Sequence, residues 1–120
     1  MQQRILLIDD EKLIRIALIH SLQEDGYMVD SASSGLEAIE KLSLNRYDLI
    51  ITDLRLPDIS GVEILRVAKK ISPEMKVIAM TAYETEQKTE QNIRGMKGEL
   101  LYKPFTLGTI KGSVSRILQK

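Results

Sequence analysis

The chain contains no cysteine, which excludes disulfides, thiol redox chemistry and thiolate metal sites. Neither sign of charge is in excess. Lys plus Arg and Asp plus Glu both number 17, so no basic surplus argues for nucleic acid or an anionic membrane. Long hydrophobic runs are missing too. The start, Met1-Gln2-Gln3-Arg4, leads into only four consecutive apolar residues, too short for a signal-peptide core or a membrane span. The expected compartment is therefore the cytoplasm, with no membrane attachment and no direct binding of nucleic acid. Internal repeats, low-complexity segments and interdomain linkers are absent as well. What remains is an ordinary globular balance, 43% hydrophobic and 28% charged over 120 residues. It suits one domain, residues 1–120, around one substantial core.

Four apolar segments stand out: "RILLI" (4–8), "YDLIITD" (47–53), "KVIAMT" (76–81) and "ELLY" (99–102). A fifth, "YMVDSA" (27–32), mixes in polar residues as an edge strand would. The central runs do not alternate, which is the pattern of parallel strands covered by helices on both faces. Between them the spacing is helical. Residues 12–24 carry Leu13, Ile14, Ala17, Leu18 and Leu22 on one side, with Gly26 as a stop signal. Ser34 with Glu37, and Ser60 with Glu63, form two capping boxes ahead of apolar helical stretches. The last segment, 106–119, groups Leu107, Ile110, Val114, Ile117 and Leu118. Segment 84–95, "ETEQKTEQNIRG", is almost wholly polar with only Ile93 clearly apolar, and is expected to be the least stable helix. Five alternations of strand and helix predict an α/β fold: a doubly wound parallel sheet with right-handed crossovers.

In such a sheet, ligands bind beyond the carboxyl ends of the strands. The first strand ends in Asp9-Asp10, the third in Asp53, the fourth in Thr81 and the fifth in Lys103. Any one of these has an ordinary explanation as a helix cap or a solvated charge. Four strands delivering a chemically capable group to one edge is harder to explain that way. Three carboxylates and one ammonium sum to −2 if all are ionised, an unfavourable cluster that a divalent cation would neutralise. With only oxygen ligands at hand, a hard cation such as Mg²⁺ is favoured. Bound there, it would orient phosphate oxygens and offset charge in phosphoryl transfer. Asp53 can then serve as a carboxylate nucleophile, with Lys103 and the Thr81 hydroxyl contacting the phosphoryl oxygens.

The motifs "LLIDDE" (6–11), "DLIITDLRLPDISG" (48–61), "VIAMTAYE" (77–84) and "LYKPF" (101–105), in this order and spacing, resemble a response-regulator receiver domain of two-component signalling. The resemblance runs over essentially the whole chain. It implies a flavodoxin-like sheet of strand order 2-1-3-4-5 flanked by five helices. It implies that Asp53 accepts a phosphoryl group from the phosphohistidine of a sensor histidine kinase or phosphotransfer protein. Asp10, Asp53 and the backbone carbonyl of Arg55 would bind Mg²⁺, with Asp9 acting through water. Such a domain is not an enzyme, though it promotes its own phosphorylation and dephosphorylation. The expected output surface is the fourth helix, fifth strand and fifth helix, facing a second copy or another partner. Lys103-Pro104 matches a bond that is cis in these folds. Arg55 and Tyr83 match positions bordering the path of the hydrolytic water, so they are expected to shield the acyl phosphate. His20, in the first helix, reads as a surface residue.

One position departs from the family pattern. An aromatic residue usually stands three before the strand-five lysine, and here that residue is Leu100. Readout is then expected to run through the Thr81 loop and the polar fourth helix. The departure also keeps a second reading open: a receiver-like interaction module that works without phosphorylation. Other classes fit less well. A phosphatase of the haloacid dehalogenase type wants an Asp two residues past the nucleophile, where Arg55 stands and cannot act as acid or base. A flavodoxin-like cofactor binder would not put Asp9-Asp10-Glu11 against a phosphate. No G-x-x-x-x-G-K-[ST] phosphate loop occurs.

Overall fold

Strand and helix alternate as the apolar pattern requires, and the computed structural model describes residues 2–82 and 87–119. The elements are β1 (Arg4–Ile8), α1 (Lys12–Glu24), β2 (Met28–Ala32), α2 (Gly35–Leu44), β3 (Leu49–Asp53), α3 (Gly61–Ile71), β4 (Lys76–Thr81), α4 (Gln87–Gly95), β5 (Glu99–Tyr102) and α5 (Leu107–Leu118). The strands form one sheet in the order β2-β1-β3-β4-β5, and every pairing is parallel. Successive strand residues point to opposite faces, so each central strand feeds two cores. Leu6, Ile8 and Ile50 pack with Ala38, Leu42, Ile64, Leu65 and Ile93 from α2, α3 and α4. Ile5, Leu7, Ile51 and Ile78 pack with Leu18, Leu22, Ile110 and Val114 from α1 and α5. Both faces being covered is why the runs "LLI" and "LII" show no alternation. β2 and β5, at the edges, are only partly buried, as the polar content of 27–32 leads one to expect.

The helix starts follow their capping residues. Ser34, Ser60 and Thr106 each accept the amide of the residue three positions on, Glu37, Glu63 and Thr109. The reciprocal halves of the two expected capping boxes differ. The Glu37 carboxylate accepts from the Ser33 amide (2.6 Å), one residue ahead of the cap, and Glu63 pairs with Arg66. Gly26 closes α1 with φ 92°, a left-handed turn that favours glycine.

Two helices sit differently from their sequence pattern. In α1 the buried residues are Leu18, Ser21 and Leu22, whereas Leu13 is 81% exposed. At about 3.6 residues per turn Leu13 stands roughly opposite Leu22 around the helix, on the side away from the sheet. Leu107 likewise stays exposed on α5, whose buried residues are Ile110, Ser113 and Val114. α4 (Gln87–Gly95) buries Ile93, in keeping with its polar sequence; residues 84–86 of that segment lie outside the described ones. No helix among the described residues is long and apolar enough to cross a membrane.

Candidate functional site

Because all five strands run the same way, their carboxyl ends share one edge, and β3 stands between β1 and β4. Ile8 pairs with Thr52 and Asp53 with Met80, so the residues that follow β1 and end β3 and β4 are neighbours. Carboxylate oxygens of Asp9, Asp10 and Asp53 lie within 4.8 Å of one another. Asp9 is wholly buried and Asp53 is 8% exposed, while Asp10 faces solvent. Lys103 follows β5 and inserts between them: its Nζ stands 2.8 Å from Asp53 Oδ2 and 3.2 Å from Asp9 Oδ2. Glu11 Oε1 lies further off, at 3.9 Å. Burial alone would push the Lys103 ammonium down. The Asp53 hydrogen bond and the charges of Asp9 and Asp53 outweigh it and hold the group above its ordinary value.

Backbone groups fix the carboxylates in place. Asp9 Oδ1 accepts the Glu11 amide (2.8 Å), and Asp53 Oδ1 accepts the Arg55 amide (2.9 Å). The Leu54 amide donates to Met80 O (2.9 Å) and the Lys103 amide to Thr81 O (2.7 Å), which ties the β3 and β5 ends to β4. Thr81 is buried at that end. Gly61, the first residue of α3, presses on the same backbone. A Cβ there would stand 2.4 Å from Asp53 O and 2.7 Å from Leu54 Cα, so only glycine permits this approach.

The structure thus brings together Asp9, Asp10, Asp53, Thr81 and Lys103, all named from sequence. Arg55 joins through its amide, with its side chain exposed; Tyr83 lies outside the described residues. The Lys103-Pro104 bond is cis. His20 is exposed beside Glu24 (3.6 Å) on α1. Leu100 is half-buried against the core on the α4 side, and the Tyr102 hydroxyl donates to Glu90 Oε1 of α4 (2.5 Å). Two residues were invisible to sequence reasoning. Arg15 Nη1 donates to Asp9 O (2.8 Å), and the Asp58 carboxylate crosses to α2. Both are single polar residues with no local pattern, and only the folded chain gives them partners.

The donor set fits a hard divalent cation. Three carboxylates lie close enough to share one ion, and no thiolate or imidazole is among them. Fold and pocket together define a flavodoxin-like α/β domain with an acidic pocket and a lysine at its carboxyl edge.

Comparison with known proteins gives the family. The family description "Response regulator receiver domain" matches residues 5–115. The chain is 34% identical over 119 residues to Sporulation initiation phosphotransferase F of Bacillus subtilis, covering 98% of this chain and 95% of the relative. Other relatives are longer proteins, and the chain spans 10% of the length of one and 52% of another. Among solved structures, a CheY-like receiver domain protein from Methanospirillum hungatei superposes with a TM-score of 0.91 at 27% identity, covering 99% of this chain and 95% of that one. TrrA from Thermotoga maritima, in complex with Mg²⁺-BeF, does so with 0.84 at 34% identity, covering 97% and 99%. The chain belongs to the response regulator receiver domain family of two-component signalling. Members of this family are phosphoacceptors rather than enzymes in the ordinary sense.

Proposed function

We propose that this domain is a phosphorylation-activated switch that accepts a phosphoryl group on Asp53 from the phosphohistidine of a sensor kinase or phosphotransfer protein. The observation that carries this reading is the convergence of Asp9, Asp10, Asp53 and Lys103 within hydrogen-bonding or shared-ligand distance. Mg²⁺, held by Asp10, Asp53 and the Arg55 carbonyl with Asp9 behind them, would neutralise charge and orient the phosphoryl oxygens. A carboxylate oxygen of Asp53 forms the new P–O bond as the P–N bond to the donor imidazole breaks. The Lys103 ammonium, already between Asp9 and Asp53, pairs with a phosphoryl oxygen, and the Thr81 hydroxyl donates to another. The relative solved with Mg²⁺-BeF supports the metal reading, and the phosphotransferase relative supports a macromolecular donor.

Such a donor needs a surface beside the acceptor. A groove of about 510 Å³, lined by Ile14, Ala17, Pro104, Phe105 and Leu107, opens next to Lys103, and its apolar walls suit a helical partner. On the output side, α4, β5 and α5 would carry the change to a second copy or an output partner. A phosphoryl group on Asp53 that draws in Thr81 would bias the position of α4, which holds to the body through contacts that include Ile93 and the Glu90–Tyr102 hydrogen bond.

The alternative, an interaction module that works without phosphorylation, draws on Leu100, an apolar side chain packed against the core where the family usually places an aromatic switch. Intact mass after incubation with acetyl phosphate and Mg²⁺ decides between them. One added phosphoryl group, lost in Asp53→Ala, supports the switch. No addition supports the module.

A further inference from the structure

The loop between β3 and α3 returns on itself through the Gly61 amide, which donates to Leu54 O (3.0 Å). Leu56 and Ile59 pack against the core, and one carboxylate ties the loop by hydrogen bonds to another element. Asp58 Oδ1 accepts the amides of Gly35 (2.8 Å) and Ile59 (2.9 Å), and Oδ2 accepts that of Leu36 (2.9 Å). Gly35 and Leu36 are the first two residues of α2, 23 and 22 positions away in the chain. The junction is close-fitting: a Cβ on Gly35 would stand 2.9 Å from Ile59 Cβ and 3.1 Å from Asp58 Oδ1. A carboxylate facing the first amides of a helix also meets the positive end of its dipole.

We propose that Asp58 is a positioning residue for the metal pocket: by anchoring the β3–α3 loop to the start of α2, it holds Arg55 in place and so raises the affinity for a divalent cation. This rests on the reading above in which the Arg55 carbonyl is a ligand. A neutral carbonyl attracts a cation more weakly than a carboxylate does, so its contribution depends on its position being set before the ion arrives. A loop free to move would lose its conformational freedom on binding, and the anchor removes that cost from the binding step.

The competing explanation is that Asp58 merely caps α2. That helix already has a cap of its own, because Ser34 Oγ accepts the Glu37 amide (3.2 Å) and Ser34 O the Ala38 amide (3.1 Å). Ser34→Ala therefore weakens the same helix end without touching the loop, and it separates the two explanations.

The test is calorimetric titration of Mg²⁺ into the whole chain and its variants, with thermal unfolding measured alongside. Asp58→Ala is expected to weaken Mg²⁺ binding about tenfold, the low end of the effect of outer partners of metal ligands. Asp58→Asn keeps one carbonyl oxygen as acceptor and is expected to lose less. Ser34→Ala is expected to lower the melting temperature and leave Mg²⁺ affinity nearly unchanged. Equal weakening in Ser34→Ala and Asp58→Ala, or undiminished affinity in both Asp58 variants, overturns the proposal alone. If the unaltered chain takes up no Mg²⁺, or Asp10→Asn binds as well as it does, the pocket reading falls and this inference with it.

Discussion

Asp53 shows how much of the site is decided by single residues that never touch a ligand. Its carboxylate is held by the Arg55 amide and Lys103, but its backbone position depends on Gly61, where any side chain would collide with Asp53 O. Gly61→Ala must move that backbone. It is expected to cost about 2 kcal/mol of stability, in the range for overpacking, and to slow labelling by acetyl phosphate. Gly112→Ala on α5 is the control: nothing lies within 4 Å of the added Cβ, so it is expected to stabilise by about 0.5–1 kcal/mol. Chemical denaturation of both variants measures the contrast. Asp10, Asp53 and Lys103 were legible in the sequence because polar residues ending apolar strands are conspicuous. Arg15 and Asp58 were not, since their partners are a backbone carbonyl and three amides that carry no sequence signature.

Among the elements, α4 is the one whose sequence and structure agree on weakness. It is polar, buries Ile93, and reaches β5 through the Glu90–Tyr102 contact. Its exit adds a conformational cost, because Lys97 sits at φ 57°, the left-handed position after a helix that favours glycine. Lys97→Gly is expected to raise stability by about 0.5–1 kcal/mol, seen as a higher denaturation midpoint with an unchanged slope. Element boundaries were well signalled by Ser34, Ser60 and Gly26, since caps and left-handed turns are local chemistry. Rotation of the helices was not. The apolar spacing of α1 admits more than one face, and the position of the sheet selects Leu18 and Leu22 while leaving Leu13 outside.

The molecule as a whole concentrates like charge at the carboxyl edge, and a cation there should be felt by the entire fold. At roughly ten times its dissociation constant, Mg²⁺ is expected to stabilise by about 1.4 kcal/mol. For a domain of this size that is a rise of about 5 °C in Tm, absent in Asp10→Asn; a scanning melt with and without Mg²⁺ checks it. One contribution to acid stability lies at the opposite end of the sheet, where β1, β2 and the start of β3 meet. Burial pushes the Asp30 carboxyl up, but hydrogen bonds from the Tyr47 hydroxyl (2.7 Å) and Arg4 (2.9 Å) outweigh it and bring it below its ordinary 3.8. The unfolded chain then binds the proton more readily. This contribution is present above the unfolded value and is lost as pH falls through the folded one. Asp30→Asn is expected to flatten the acid limb of a stability–pH curve, measured by denaturation along a pH series. The sequence by itself determined the alternation of strand and helix, the two-sided burial of the central strands and the polar groups at their ends, because periodicity and termini are properties of neighbouring residues. The strand order came from family resemblance rather than from those residues. Only the tertiary structure decided the rest: that Lys103 would stand between Asp9 and Asp53, residues 94 and 50 positions away, that Asp58 would grip α2, and which helix faces would be buried. Those are contacts between distant segments, set by how sheet and helices pack together.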